Sequence, residues 1–457
     1  MNIVIQKFGG TSVEDAAAMS RSIEIVCKLG ITKRTRPLVV LSACASVTNT
    51  LVRIGELALI GKKSEAMTTV DQLEVRHARI TRELLQDAET IERIHRKLHG
   101  LWEELRVLVH GVELLQELTP KSRDQIQSLG ERASSTIFQA ALAERLLAKK
   151  ITCHFFDARV FFATTNEFTV ARPLLKEIHR NMKSIRSSLT HGAVGVTQGF
   201  IGRTSNGEVT TIGRGGSDFS ASIMGVAVQA TEIQIWTDVA GIMTCDPRIA
   251  PMAQTIEHIS IREASELTMF GAKVLHPETI WPAVERSIPV RVLSSKESDK
   301  QGTVILEKTT EVREMTGIAL KRSIVLIHVS SNGSHPNPAL HEAVWKGLGD
   351  LGSLPLAVSF SVDAASYAFN DASAASIIRS LCEGRGTIEV ESNRSLITLV
   401  GPGLFTHSGI ALRIFRALGR TNCEMVSFGG SRSAISIVVD DEVATRVVKK
   451  LHREFFE

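Results

Sequence analysis

The sequence predicts an α/β protein, with a mainly parallel sheet flanked by helices over residues 1–294 and a smaller α+β region after it. Three observations carry this expectation. Apolar strand-like runs alternate with helix-like runs through the N-terminal part, with polar or small residues at the strand ends. Two glycine-rich turns, Lys7–Ser12 and Gly213–Asp218, each leave a strand and open a helix. Beyond the polar, turn-rich stretch Ser294–Gly302 the pattern changes to short β-rich runs between helices.

Taken in order, Asn2–Gln6 is a short apolar strand, followed by Lys7-Phe8-Gly9-Gly10-Thr11-Ser12. A helix is expected from about Val13 to Leu29, with Met19, Ile23 and Val26 on one stripe. Ser12 and Asp15 stand at capping spacing, and Gly30 supplies a stop. Strand, Gly-Gly turn and helix N-terminus in this order build a phosphate cradle. The lysine precedes the glycines, so this is neither a Walker A loop nor a Rossmann fingerprint. Pro37–Leu41 is a second strand. It ends in Ser42–Asn49, small and often hydroxylated, at the edge where open α/β sheets place ligands.

Residues 50–118 read as helical, rich in Glu, Arg and Leu. His95 and His99 stand four apart, but Arg93, Arg96 and Lys97 around them favour a solvated face over a metal site. Pro120 breaks the pattern, and a new helix is expected from about Ser128. That places Glu131 in a first helical turn, where an acid commonly serves only the helix dipole. Ile151–Phe156, Ala193–Phe200 and Glu208–Ile212 read as strands. The turn Gly213-Arg214-Gly215-Gly216-Ser217-Asp218 then combines bare backbone with a guanidinium and a carboxylate. Such a turn suits an anionic substrate that must be oriented as well as held. A helix over Phe219–Gln229, a strand Ile233–Trp236 ending in Thr237-Asp238, a loop Val239–Arg248 and a strand Ile288–Leu293 complete the region. The C-terminal part shows strands near Ile324–Ser330, Leu356–Val362, Leu396–Val400, Glu424–Phe428 and Ala434–Val439. Helices are expected near Ala339–Leu351, Ala372–Cys382, Gly409–Leu418 and Glu442–Arg453. Two α+β units of about 70 residues each fit this length.

Composition excludes several classes. A length of 457 residues implies two or three domains, and 43% hydrophobic with 22% charged residues is ordinary for a globular chain. Net charge is only +4 and there is a single Tyr, so a nucleic-acid footprint with stacking aromatics is not expected. The six cysteines are scattered, several of them in apolar runs, as reduced thiols would be. The N-terminus starts a strand without the charged and apolar regions of a signal peptide, and no apolar run is long enough to span a membrane. The expectation is a cytoplasmic protein.

The assembled motifs resemble those of aspartate kinases in the amino-acid kinase superfamily. They are KFGGTSV (Lys7–Val13), VVLSACASVTN (Val39–Asn49), GRGGSD, WTDVAGIMTCDPR (Trp236–Arg248) and FGAKVLHP (Phe270–Pro277), all in the family's order. GPGLFTHSGIALRIFRAL (Gly401–Leu418) resembles an ACT regulatory domain, and the likeness is greatest to single-function, lysine-sensitive members. The resemblance implies transfer of the ATP γ-phosphoryl group to the β-carboxylate of L-aspartate. The product would be 4-phospho-L-aspartate, at the head of lysine or diaminopimelate, threonine and methionine biosynthesis. It implies Lys7 as the main catalytic cation, organised by Asp218. Arg214 would hold the substrate's α-carboxylate and Glu131 its ammonium, with Ser42, Thr48, Gly215, Gly216 and Ser217 completing the pocket. Gly9, Gly10, Thr11, Thr237, Asp238, Met243, Arg248, Lys273 and Val274 correspond to nucleotide-site positions. No protein ligand set for a metal is expected, since Mg²⁺ is held mainly through nucleotide phosphates.

The implied organisation is a catalytic domain over 1–294, a linker over 295–302, a first, irregular ACT-like unit over 303–385 and a second ACT domain over 386–457. Pairing of ACT units implies a homodimer or a dimer of dimers. Two features depart from the family. Met243 stands where a Tyr is often found in the nucleotide loop, and the turn Ser331–Pro338 lacks the usual effector motif, with Asp363 the nearest acid but out of step. Weakened, lost or altered lysine inhibition is the expectation. A rival from another class is a catalytically weak amino-acid sensor that keeps the fold.

Overall fold

The computed structural model describes residues 1–213, 215–271, 277–309, 313–332, 338–350 and 352–457. The chain forms two compact units, Met1–Gly241 with Leu275–Glu307, and Ile242–Val274 with Lys308–Glu457.

In the first unit the strands are β1 (Asn2–Phe8), β2 (Thr35–Leu41), β3 (Cys153–Phe156), β4 (Val194–Gln198), β5 (Ile201–Arg203), β6 (Val209–Thr211) and β7 (Glu232–Thr237). After β8 (His258–Ser260) of the second unit come β9 (Val290–Ser294) and β10 (Thr303–Leu306). The main sheet runs β3-β4-β2-β1-β7-β9-β10, parallel except where β10 turns back on β9. The expected parallel α/β sheet is therefore present, and its inner strands are buried on both faces, as parallel strands are. One expected strand lies outside it: Glu208–Ile212 shortens to β6, which pairs only with β5 in a separate hairpin.

The helices are α1 (Ala16–Ile25), α2 (Val47–Leu59), α3 (Lys63–Leu84), α4 (Ala88–Leu115), α5 (Pro120–Leu147), α6 (Ala158–Phe161), α7 (Leu175–Asn181), α8 (Lys183–Thr190) and α9 (Gly216–Val228). A core of Phe8, Val39, Leu41 and Trp236 from the sheet joins Leu51, Leu73, Trp102, Leu129 and Phe138 from α2 to α5. Two local expectations are corrected and one, the helical stretch, is borne out and subdivided. Gly10–Val13 is a separate 3-10 turn, and Asp15, not Ser12, caps α1 by accepting from the Ala18 N–H at 2.7 Å. The helical stretch 50–118 is three helices. Pro120 begins α5 instead of ending a pattern, because the first helical position needs no N–H and Thr119 caps it. Glu131 is consequently deep inside a 28-residue helix.

The second unit opens with β8 and α10 (Ile261–Met269), while α11 (Pro277–Val284) returns to the first. The remaining elements are β11 (Gly317–Ser331), α12 (Pro338–Asp350), β12 (Ala357–Phe360), β13 (Ala364–Phe369), α13 (Ser373–Cys382), β14 (Gly386–Val400), α14 (Ile410–Leu418), β15 (Met425–Ser427), β16 (Ala434–Asp440) and α15 (Asp441–Phe456). They form one antiparallel sheet in the order β12-β13-β11-β14-β16-β15. The strands β11 and β14 are much longer than the runs read from sequence. Each passes through both halves of the sheet, with register shifts between Lys321 and Leu326 where Ser323 adopts φ +56°. The start of β11 (Gly317–Lys321) faces the end of β14 (Leu396–Val400), and its remainder faces the beginning. The two halves are thus interleaved along the chain. Each has its own core, one of Ile397, Ile414, Ile437 and Leu451, the other of Ile327, Leu340, Tyr367 and Ile378.

Candidate active site

Four parallel strands end level. Phe8 lies opposite Leu41 and Trp236, and Leu41 opposite Gln198, so the loops after β1, β2, β4 and β7 share one carboxyl edge. Backbone bonds knit these loops: Ser42 N–H donates to Phe8 O at 3.2 Å, Ala45 N–H to Gly10 O at 3.0 Å, and Gly9 N–H to Trp236 O at 3.0 Å. A side chain at Gly10 would bring a Cβ within 3.1 Å of the Ala43 carbonyl, a tight contact that would push the two loops a few tenths of an ångström apart. Arg76 of α3, which sequence reading missed, donates to Ala45 O at 3.0 Å and Glu14 O at 2.9 Å, fastening the same loops from outside. Ser12, read as a cap, is buried instead, donating to Ser295 Oγ at 2.8 Å and Trp236 O at 3.3 Å.

Lys7 sits on β1 beside this edge and is 8% exposed. Its Nζ lies 2.7 Å from Asp218 Oδ1, in the first turn of α9. The glycine-rich turn makes that approach possible: Gly215 caps α9 in the left-handed region at φ +73°, and Gly216 follows it into the helix. Gly199 at the end of β4 has no room for a Cβ, which would meet Ser217 Cβ at 2.8 Å, so the helix start is seated directly on the strand edge. Phe200 N–H donates to Ser220 Oγ at 2.9 Å and holds the next turn. Arg214 lies outside the described residues.

Glu131 reaches the edge from α5. It is 3% exposed; Oε1 accepts from the Ala43 N–H at 3.1 Å, and Oε2 is buried without a partner among the described residues. Burial pushes its carboxyl up to about 8, against the pull of the Ala43 bond. The dipole role expected from a first-turn position does not apply, since the residue is far from either end of its helix. One turn on, Ser134 Oγ donates to Ser42 O at 2.7 Å and anchors the end of β2. Ser42 and Thr48 are partly buried, the latter in the first turn of α2.

The nucleotide-site expectations divide. Gly9, Gly10 and Thr11 form the turn after β1, and Thr237 closes β7, its hydroxyl 3.2 Å from the exposed Asp238 carboxylate. Met243, bridged to Thr255, and Arg248 belong to the second unit. The exposed Arg248 guanidinium is held by Asp246 at 2.6 Å. Lys273 and Val274 lie outside the described residues. His99, at the spacing weighed for a metal, pairs with Glu74 at 2.8 Å.

Residues 2–294 match the amino acid kinase family and residues 397–455 an ACT domain. The lysine-sensitive aspartokinase 3 of Escherichia coli (strain K12) is 33% identical over 465 residues, covering 100% of this chain and 99% of that one. The aspartokinase of Chlamydia trachomatis is 31% identical over 466 residues, covering 99% and 98%. Among solved structures, E. coli aspartokinase III in complex with aspartate and ADP matches with a TM-score of 0.82 at 32% identity, over the full length of both chains. The same enzyme in complex with lysine and aspartate matches at 0.80, again over both full lengths. A carboxyl-edge lysine paired with an aspartate, a buried glutamate with one oxygen unpartnered among the described residues and this likeness over the whole chain agree: the chain belongs to the aspartokinases of the amino acid kinase family.

Proposed function

We propose that the chain transfers the γ-phosphoryl group of ATP to the β-carboxylate of L-aspartate, giving 4-phospho-L-aspartate and ADP. The observation that carries this reading is Glu131. A buried carboxylate with one oxygen bonded and the other bare is costly on its own, and a substrate ammonium supplies the missing partner. Arg214 suits the substrate's α-carboxylate, as a planar fork does. Ser42, Thr48, Gly215, Gly216 and Ser217 would line the remainder.

The acceptor β-carboxylate is ionised at neutral pH, with an unperturbed pKa of about 3.9, so no general base is needed. What the site must overcome is repulsion between two anions. Lys7 supplies the positive charge, and Asp218, 2.7 Å away, fixes where that charge points. In the bare turn Gly9-Gly10-Thr11 the Gly9 N–H is taken by Trp236 O, and the N–H groups of Gly10 and Thr11, in the first turn of the short helix, are left to meet phosphate oxygens. The crowding at Gly10 fits a cradle built for close backbone approach. Mg²⁺, carried on the nucleotide phosphates, would add charge neutralisation there. As the new P–O bond forms at the aspartate oxygen, the bond from phosphorus to the ADP oxygen breaks, and no proton needs to move.

The wider reading includes a catalytic region over 1–294, a linker over 295–302 and a regulatory ACT pair over the rest. It also includes a homodimer or dimer of dimers, a cytoplasmic setting and an amino-acid effector. No helix among the described residues is long and apolar enough to cross a membrane. The test is hydroxamate formation from L-aspartate, Mg-ATP and hydroxylamine, which traps the acyl phosphate. Aspartyl hydroxamate formed in preference to the glutamyl compound supports the assignment; none from folded protein overturns it and revives the reading of a sensor that keeps the fold.

A further inference from the structure

We propose that Asp124 is a positioning residue for the amino-acid substrate, holding the stem of the glycine-rich turn and the segment behind it at a fixed place along the helix that carries Glu131. The proposal rests on the reading of Glu131 and the turn as the substrate pocket.

Asp124 is fully buried near the start of α5. It accepts three hydrogen bonds, all from neutral donors: Thr169 N–H and Thr211 N–H at 2.9 Å to Oδ2, and Thr211 Oγ1 at 2.7 Å to Oδ1. Burial pushes its carboxyl up, while these donors pull it back. Both donor residues belong to the turn's surroundings. Thr211 is the last residue of β6, two before Gly213. Thr169 adopts φ +72°, and its carbonyl stands 3.5 Å from the place a Cβ on Gly213 would take. Ala171 N–H closes the layer by donating to Thr211 O at 3.0 Å. One carboxylate therefore grips both the strand that feeds the turn and the wall against which the turn lies.

The spacing along α5 gives this a consequence for substrate. Glu131 follows Asp124 by seven residues, about two turns at about 3.6 residues per turn, so both lie on one face. Ser134, on that same face, anchors Ser42. A rigid helix thus carries the anchor of the glycine turn, the carboxylate that meets the ammonium and the anchor of the β2 loop in succession. An apolar side chain would fill the Asp124 position without the desolvation of a carboxylate. The carboxylate adds a three-point attachment that fixes the turn relative to Glu131.

The experiment compares Asp124→Asn, Thr211→Val and Thr211→Ser with Glu131→Gln as reference. KM for aspartate, KM for ATP, kcat and the thermal midpoint with and without aspartate are measured. Asp124→Asn removes the charge and can keep both N–H bonds on its amide oxygen only if the Thr211 hydroxyl turns round to accept from the amide. It is expected to lower kcat/KM for aspartate by roughly tenfold to a hundredfold, as small misplacements do, and to leave KM for ATP within about twofold. Thr211→Val, which removes only the hydroxyl, moves in the same direction by a few-fold, and Thr211→Ser restores the parent value. The double variant falls no further than Asp124→Asn alone, because the two share one interaction. Folded variants that change both KM values equally, or neither, overturn the proposal. If Asp124→Asn does not fold, the Thr211 pair decides. If Glu131→Gln leaves aspartate binding intact, the pocket assignment itself is wrong; if it abolishes binding while Asp124→Asn and Thr211→Val do not alter it, only the positioning role fails.

Discussion

Replacing Glu131 with Gln separates what the carboxylate costs the fold from what it does for substrate. Burial raises its pKa from 4.5 to about 8, so the unfolded chain loses this proton at lower pH than the native one. Below 4.5 both states hold the proton and the group is neutral to stability; as pH rises through about 8, native stability is lost. At about 1.36 kcal/mol per pKa unit, the loss reaches about 5 kcal/mol above pH 8 and about 3 kcal/mol at pH 7. Glu131→Gln keeps the shape without the charge. Unfolding midpoints of both proteins at pH 5, 7 and 8.5 should therefore diverge, with the variant gaining on the parent as pH rises. Aspartate should reverse the order, because its ammonium completes the carboxylate of Glu131 but not the amide that replaces it in the variant. It should raise the parent's midpoint strongly at pH 8.5 and the variant's little, and kcat/KM for aspartate should fall on the order of a hundredfold. Below pH 8, binding should also release up to about one proton, read by calorimetry in buffers of different ionisation enthalpy. A parent–variant difference that is flat with pH would refute the burial argument. Unchanged aspartate binding by the variant would refute the ammonium role.

Three further outcomes are expected. Lys7→Ala should lower kcat on the order of a thousandfold while the protein stays folded, since it removes the positive charge at the transfer site; hydroxamate rates check this. His77 is fully buried against Trp102, with its pKa lowered from 6.5 to about 4. Its contribution to stability is present above pH 6.5 and is lost as pH falls toward 4, by about 3 kcal/mol. His77→Leu should flatten that part of an acid-denaturation profile, and an unchanged profile would exclude the residue as its source. Lysine should inhibit hydroxamate formation weakly if at all, because the effector turn departs from the family's motif; part of that turn, residues 333–337, lies outside the described residues. Complete inhibition at micromolar lysine would show the departure to be harmless.

The alternation of strands and helices and the two glycine turns are local properties, and they sufficed for the parallel sheet and for singling out the two turns that hold Lys7 and Asp218, whereas a substrate role for Glu131 was implied only by the resemblance to aspartate kinases. Local pattern failed where the same residue has two uses. Pro120 breaks a helix interior but starts α5, so Glu131 was misplaced along its helix and Asp124, seven residues earlier, was not noticed at all. Strands β11 and β14 were read as short because a bulge interrupts their alternation, whereas pairing across the sheet continues through it. Which residues meet was settled by tertiary structure. The 2.7 Å pair of Lys7 and Asp218 requires α9 to be seated on the carboxyl edge that parallel pairing of β1, β2, β4 and β7 creates. The bare oxygen of Glu131 and its raised pKa come from desolvation, a property of everything packed around the residue. Residue types and their order along the chain determine which chemistry is available; only burial and long-range pairing decide which of those groups face one another without water between them.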